Sequence, residues 1–332
     1  MSRFVDDENA ARLPAYHKAP DDEAALLAAN QALAGLEPSG PPGPERPTIF
    51  VVGLPRSGTT LCAQLLAACL DVGYISNLAA RFWLAPAFGV RLSRLVLGDR
   101  RDHGFTSDYG KSNSPTGVHE FAYFWQRLLG IETLDDLLRF GRPNTVDWAA
   151  GATAVRRLVD AAAAPVLFKT NYAAQFLADF AAWMPQPLFV HVERDPADVA
   201  LSILAARRAY YGRDDAWWGT HPPEYHDLAG LPVAEQVAGQ VTGLRRAYAL
   251  AAGDVDPRLC VTIDYAAMCA DPGGFLDTVR RRVLDLHGVS IDQVASPPAL
   301  RCRAQPRNGL DPMQLDVLRA VHAVLGAEEG VA

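Results

Sequence analysis

The residues that first suggest chemistry are Gly53-Leu54-Pro55-Arg56-Ser57-Gly58-Thr59-Thr60. They join a β-branched apolar run, Thr48 to Gly53, to a helix-like run, Thr60 to Leu70. At such a junction the free backbone N–H groups and the positive end of the helix dipole make an anion site. A nucleoside-triphosphate loop with this glycine spacing carries Lys directly after its second glycine, then Ser or Thr for magnesium. Here that lysine position is Thr59. The cation has moved into the loop as Arg56, where it reaches the outer end of a shorter anion of two acidic groups, which favours a phosphosulfate over a triphosphate with magnesium. An incidental glycine turn and a degenerate triphosphate loop are the competing readings.

A second anion signal, Glu193-Arg194-Asp195-Pro196-Ala197-Asp198-Val199-Ala200-Leu201-Ser202, follows the apolar run Pro187 to Val192. Pro196 suits the first turn of a helix, and Asp195 or Asp198 helps to start it. Arg194 then stands at the carboxyl end of a strand, with Ser202 on the next helix, at the edge where open α/β sheets bind ligands. The plainer reading is a surface arginine paired with Asp198 and a solvent-facing serine.

The elements that must position these residues read as α/β. Residues 1–47 form a leading unit, with a helix from Glu23 to about Leu33 after Asp21 and Asp22, and then a Pro/Gly linker from Pro38 to Pro47. The main domain covers residues 48–332. Further buried strands are expected at Pro165 to Lys169, Pro187 to Val192 and Leu259 to Ile263. Their alternation with helical segments predicts a three-layer fold with a central parallel sheet covered on both faces. Two long aperiodic loops, near 98–118 and 211–232, are the expected acceptor-side walls.

With 49% hydrophobic and 21% charged residues the chain has ordinary globular composition. A net charge of -7 argues against nucleic acid or an anionic membrane as partner. The five cysteines show no C-x-x-C pair, so a reduced compartment and neither a disulfide framework nor a zinc site is expected. No run reaches the roughly 18 apolar residues of a membrane span, and the acidic start does not read as a signal peptide. A cytoplasmic protein, with oligomeric state unreadable, is the expectation.

Together the two anion motifs resemble those of the sulfotransferases that use 3′-phosphoadenosine-5′-phosphosulfate (PAPS). That family's 5′-phosphosulfate loop reads P-K/R-S-G-T-T and its 3′-phosphate site reads R-x-P-x-D-x-x-x-S. Weaker matches are Phe168-Lys169-Thr170-Asn171, similar to a K-T-H strand end, and Asp264-Tyr265 through Asp271-Pro272, similar to a Y-E-D-L-x-x-D-P segment. The resemblance implies a P-loop-like sulfotransferase fold and a metal-free transfer that leaves adenosine 3′,5′-bisphosphate (PAP). Pro55, Arg56, Ser57, Gly58, Thr59 and Thr60 would hold the 5′-phosphosulfate, Arg194 and Ser202 the 3′-phosphate, and Tyr265 would lie near the adenine. Arg303, Arg307 and Gly309 would supply late phosphate contacts, although the family's R-K-G-x-x-G loop is not reproduced. Asn171 stands where several members place a catalytic histidine, and Asn77 where others place a glutamate.

Sulfuryl transfer needs in-line positioning and neutralisation of the leaving phosphate, roles for Arg56 with Lys169. The acceptor also needs a proton-accepting group. Glu120, ahead of its neighbour His119, is the preferred base, as a partly buried carboxylate whose pKa burial would raise. His103, Asp108, His221 and His226 are further candidates. Phe82, Trp83, Phe121, Phe124, Trp125, Trp217 and Trp218 would line an acceptor pocket or else belong to the core. The acceptor would be a small molecule, lipid or glycan. A P-loop nucleotide kinase and a non-catalytic PAP-binding protein are the alternatives.

Overall fold

The computed structural model describes residues 9–98, 104–105, 109, 112, 114–141, 145–302, 304–305 and 307–329. The expectations placed on His103, Asp108 and Arg303 fall outside them. Among the described residues the strands are β1 (Thr48–Gly53), β2 (Gly73–Tyr74), β3 (Val166–Lys169), β4 (Pro187–Glu193) and β5 (Cys260–Asp264). They form one sheet in the order β2-β3-β1-β4-β5, every pair parallel. The α/β fold with a central parallel sheet is therefore as the sequence predicts, and each of the four anticipated strands lies within a residue or so of its expected bounds. The exception is β2, whose two residues are too few to show periodicity.

Every residue of β1 is buried, because helices cover both faces. One face presents Phe50, Phe168 and Phe189 in a row across three strands, with ring centroids 5.3 and 5.6 Å apart. They pack beneath α1 (Pro86–Leu97), α2 (Ala122–Leu128), α3 (Trp148–Ala162), α4 (Leu177–Trp183), α5 (Pro196–Tyr211), α6 (Val233–Gly253) and α7 (Pro312–Glu329). The other face presents Ile49, Val51, Leu167 and Val190 to the helices Thr59–Cys69 and Pro272–His287. This alternation along β1 is the two-residue period of a strand buried on both sides. Phe121, Phe124 and Trp125 belong to the first core. Trp125, fully buried, lies 5.4 Å from Phe168 and 5.3 Å from Phe180. Of the two readings open for these three, pocket wall or core, the core is the one observed.

The residues that precede β1 are fastened onto helices that follow it. In the helix Pro20–Leu33, fully buried Asn30 accepts from Leu84 N–H over 2.9 Å and donates to the Arg81 carbonyl over 2.7 Å. Glu37 accepts from the N–H groups of Ala87 and Phe88, where a carboxylate suits the start of α1. Within the linker, Gly43 N–H donates to Asp160 over 2.5 Å, and Arg157 donates to the Gly40 carbonyl over 3.1 Å. No helix among the described residues is long and apolar enough to cross a membrane.

Candidate functional site

Register aligns the carboxyl ends of the strands: Val51 pairs with Lys169, Gly53 with Val192, and Glu193 with Asp264. The loops that follow β1, β3, β4 and β5 therefore open on one edge. The β1 loop turns at once into the helix beginning at Thr59, with Gly58 at its N-cap in the left-handed region (φ 107°). A Cβ at Gly58 would stand 2.4 Å from the Tyr265 ring, and one at Gly53 would stand 2.6 Å from both Ser57 Oγ and the Val192 carbonyl. Both glycines are thus required by close approach, not only by conformation. Arg56 holds φ 73°, a strained conformation for a side chain of its size. Ser57 Oγ is buried without a hydrogen-bond partner in the described structure. A buried hydroxyl in a loop that runs into a helix start suits an anion that supplies the missing acceptor.

Arg56 and the second motif meet. Nε of Arg56 donates to Ser202 Oγ over 2.9 Å, and Nη1 of Arg194 donates to the Arg56 carbonyl over 3.0 Å. Ser202 is buried on α5, so the solvent-facing reading of this serine fails. Arg194 also contacts Asp198, with 3.4 Å from Nη2 to the carboxylate, and its guanidinium lies 4.7 Å from the centre of the Tyr265 ring. Tyr265 is therefore a buried wedge between the loop glycine and the strand-end arginine. Arg307, far along the chain, closes on Asp198 as well, 2.7 Å away, and on Asp195 at 2.9 Å. Thr59 and Thr60 open the helix with little exposure.

A second group gathers at the end of β3. Nζ of Lys169, 4% exposed, donates to Glu120 Oε1 over 2.6 Å. The Glu120 side chain is 57% exposed, so the partial burial expected of this carboxylate is not found. Its exposed side is the consequence of a short antiparallel return. Ser76 bridges Val118, and His119 N–H donates to the Ile75 carbonyl, which brings His119 and Glu120 beside the continuation of β2. Phe121 follows in the left-handed region, φ 56°, and its N–H donates to His119 Nδ1 over 2.8 Å. A neutral imidazole whose Nδ1 accepts carries its hydrogen on Nε2. His119 is exposed by surface area, yet crowding of its ring by surrounding protein is the main reason that its pKa falls to about 4; Glu120 opposes this shift and Lys169, Arg81 and Lys18 add to it.

The other candidates separate. Asn77 anchors the first long loop by donating to the carbonyls of Ser112 and Ser114, each over 2.7 Å. Asn171 contacts Thr220 Oγ1 at 3.4 Å. His226 pairs with Asp135 at the surface. His221 is buried and stacked on Trp217, and burial followed by the nearby Arg207 pushes its pKa down to about 3.

Sequence reasoning missed two features. Tyr109 and Trp218 bring the two long loops together, with ring centroids 6.5 Å apart, and Tyr109 lies under the Arg56 guanidinium at 5.1 Å. Gly219 packs against Pro55 of the β1 loop, its position for a Cβ 3.3 Å from that ring. Behind them, fully buried Arg207 donates to Gln236 and Gln240, at 2.9 and 3.2 Å, and to the Asp214 carbonyl at 3.2 Å. Gln240 in turn holds the carbonyls of Trp218 and Thr220, both at 2.9 Å. The available signal was Arg207 itself, a cation four residues after Ile203 on the apolar side of α5.

A central parallel sheet whose first strand runs through a glycine-bearing loop straight into a helix at the carboxyl edge defines the α/β class of this fold. The model of the sulfotransferase family matches residues 47–292, and the chain belongs to that family. No curated protein matches it in sequence. Among similar solved structures, sulfotransferase STF1 of Mycobacterium tuberculosis H37Rv is 17% identical, with 72% of this chain and 68% of that one covered and a TM-score of 0.45. Sulfotransferase STF9 of Mycobacterium avium is 15% identical, over 92% of this chain and 81% of that one, with a TM-score of 0.45. The sulfotransferase domain of the Synechococcus PCC 7002 olefin synthase is 15% identical, over 87% and 97%, with a TM-score of 0.41.

Proposed function

We propose that this sulfotransferase takes a sulfuryl group from PAPS and transfers it to a hydroxyl or amine of a small-molecule, lipid or glycan acceptor, releasing PAP. The observation that carries the reading is the contact of Arg56 with Ser202 beneath Arg194. In support, the loop that suits a 5′ anion lies beside a corner where Arg194 and Arg307 gather on Asp195 and Asp198, and a nucleotide bearing phosphates on both 3′ and 5′ oxygens could address the loop and these two arginines together. ATP has no group for the second corner. The orphaned Ser57 hydroxyl and the N–H groups at Gly58, Thr59 and Thr60 fit the phosphosulfate end. Arg194, Ser202 and Arg307 fit the 3′-phosphate.

Within this reading Arg56 and Lys169 hold the charge that develops on the leaving phosphate. His119, its Nδ1 already accepting from Phe121, presents Nε2–H and orients the acceptor as a donor. Glu120, held against Lys169, takes the acceptor proton. Calorimetric titration with PAP, beside ATP plus magnesium, tests the donor. Metal-free binding of PAP with no response to ATP is expected, and preference for ATP overturns the proposal in favour of a nucleotide kinase.

A further inference from the structure

The residues that precede β1 reach both sides of the open sheet edge. Leu13 N–H donates to the Tyr210 carbonyl over 2.7 Å, and the Tyr16 ring stacks on that of Tyr210, with centroids 3.9 Å apart and planes 22° from parallel. Two residues later, Nζ of Lys18 lies 4.3 Å from the centre of the Tyr123 ring and donates to its hydroxyl, which donates in turn to Glu23 over 2.7 Å. The side chain of Asn9 ties this turn by accepting from Lys18 N–H over 2.8 Å and donating to the Lys18 carbonyl over 3.1 Å. Both anchors lead to the candidate site. The Tyr210 ring meets Tyr109 edge-on at 5.8 Å, and Tyr109 lies under the Arg56 guanidinium. Tyr123 stands three residues after Glu120. Contacts therefore run from Arg56 through Tyr109 and Tyr210 to the leading segment, and from there through Tyr123 to Glu120. Lys169, which holds Glu120, returns to β1 through its pairing with Val51.

We infer that Leu13 to Lys18 close the acceptor site, and that Tyr16 selects a compact acceptor bearing an aromatic ring. The circuit has the cation that would hold the leaving phosphate on one side and the carboxylate that would take the proton on the other, so an acceptor oxygen in line between them lies inside it. Main chain closes the circuit on its outer side. The end of a molecule enters such a space, whereas the interior of a long glycan, which has to leave in two directions, has no second exit. The wall on the Arg56 side is aromatic. Tyr16, Tyr109 and Trp218 are half-buried, and Tyr109 stands at 86° to Tyr210 and 67° to Trp218. Rings set at steep angles offer a face and an edge to the same guest, the two approaches that another aromatic ring favours.

The inference rests on the proposed sulfuryl transfer, and PAP binding is measured separately so that the two fail separately. 2-Naphthol and N-acetylglucosamine are titrated calorimetrically into the full chain with and without PAP, and hydrogen exchange of the wild type is followed with and without 2-naphthol. Expected are binding of 2-naphthol with no heat from the sugar, and slower exchange over residues 13–18 when 2-naphthol is bound. Tyr16→Ala should bind 2-naphthol at least fivefold more weakly and Tyr16→Phe within twofold of wild type, with PAP affinity the same in all three. No binding of 2-naphthol, or equal or tighter binding of the sugar, overturns the acceptor class. Unchanged exchange over 13–18 with 2-naphthol bound, or wild-type affinity for it in Tyr16→Ala, overturns the role of the leading segment, and the exchange result decides this even where Tyr16→Ala fails to fold. Failure of the wild type to bind PAP counts against the donor reading alone, because 2-naphthol binding without PAP still decides the acceptor site.

Discussion

Nε of Arg56 donates to Oγ of Ser202 over 2.9 Å, joining two residues 146 positions apart and with them the two anion motifs of the chain. Ser202→Ala removes the acceptor from a charged donor and a hydroxyl from the proposed 3′-phosphate corner. PAP binding should weaken by about 1.5–3 kcal/mol, the worth of a hydrogen bond to a charged group. Calorimetry reads this directly, and an affinity within twofold of wild type would take Ser202 out of the site.

Gly58→Ala meets two obstacles: φ of 107° at the N-cap and a ring atom of Tyr265 at 2.4 Å. A loss of about 1–3 kcal/mol in stability is expected from the backbone alone, with more from the clash. Adding Tyr265→Ala should recover the clash component and leave the backbone component. Equal denaturation midpoints for Gly58→Ala and wild type would show that the loop is not held as described.

Glu120 and His119 are separable by substitution. Glu120→Gln should abolish turnover with PAP affinity nearly intact. His119→Gln, which keeps a side-chain N–H donor, should retain far more activity than His119→Ala. Equal activity of Glu120→Gln and wild type would end the candidacy of Glu120. A near-complete loss in His119→Gln would return the proton-accepting role to the histidine.

Four histidines with depressed pKa values, His119, His191, His221 and His287, each lowered mainly by desolvation, make stability pH-dependent with a definite sign. Burial pushes the pKa of buried His221 down to about 3 and lowers those of His191 and His287, whereas unfolded histidine titrates near 6.5. As pH falls below about 6.5 the unfolded chain takes up protons that the folded chain refuses, so stability declines from there. Melting temperatures between pH 7 and 5 should show this fall, and His221→Phe, which preserves a ring against Trp217, should flatten it. An unchanged slope in that variant would remove His221 as a cause.

Arg207→Leu leaves the Gln236 and Gln240 carbonyls without their donor inside a buried network. A loss of about 2–4 kcal/mol is expected, since breaking a buried hydrogen-bond network is among the costliest single changes. The 211–232 loop should become the first site of limited proteolysis. Cleavage confined elsewhere would show that this network does not pin the loop.

Much of the fold was legible because β1, β3, β4 and β5 are apolar runs with helical segments between them, a local signal that any neighbour arrangement preserves. The Pro55–Thr60 loop and the Arg194–Ser202 stretch were legible for the same reason: a strand end, a turn and a helix start dictate their own backbone. Tyr109 left no such mark, since its place under Arg56 follows from where a long aperiodic loop returns. Phe121, Phe124 and Trp125 show why aromatic spacing is ambiguous. Helical periodicity says that they share a side, but not whether a sheet or an acceptor lies opposite.

The sequence by itself determined the layered α/β scheme and the two anion motifs, because these depend on hydrophobic period and on the conformational demands of a few consecutive residues. Only the tertiary structure decided that Arg56 turns to Ser202, that Lys169 holds Glu120, and that Asp198 draws Arg194 and Arg307 together. Each of these pairings depends on strand order and register, which bring distant segments to one sheet edge. No local pattern encodes them, because side-chain contacts of a few ångströms are set by the packing of the whole core.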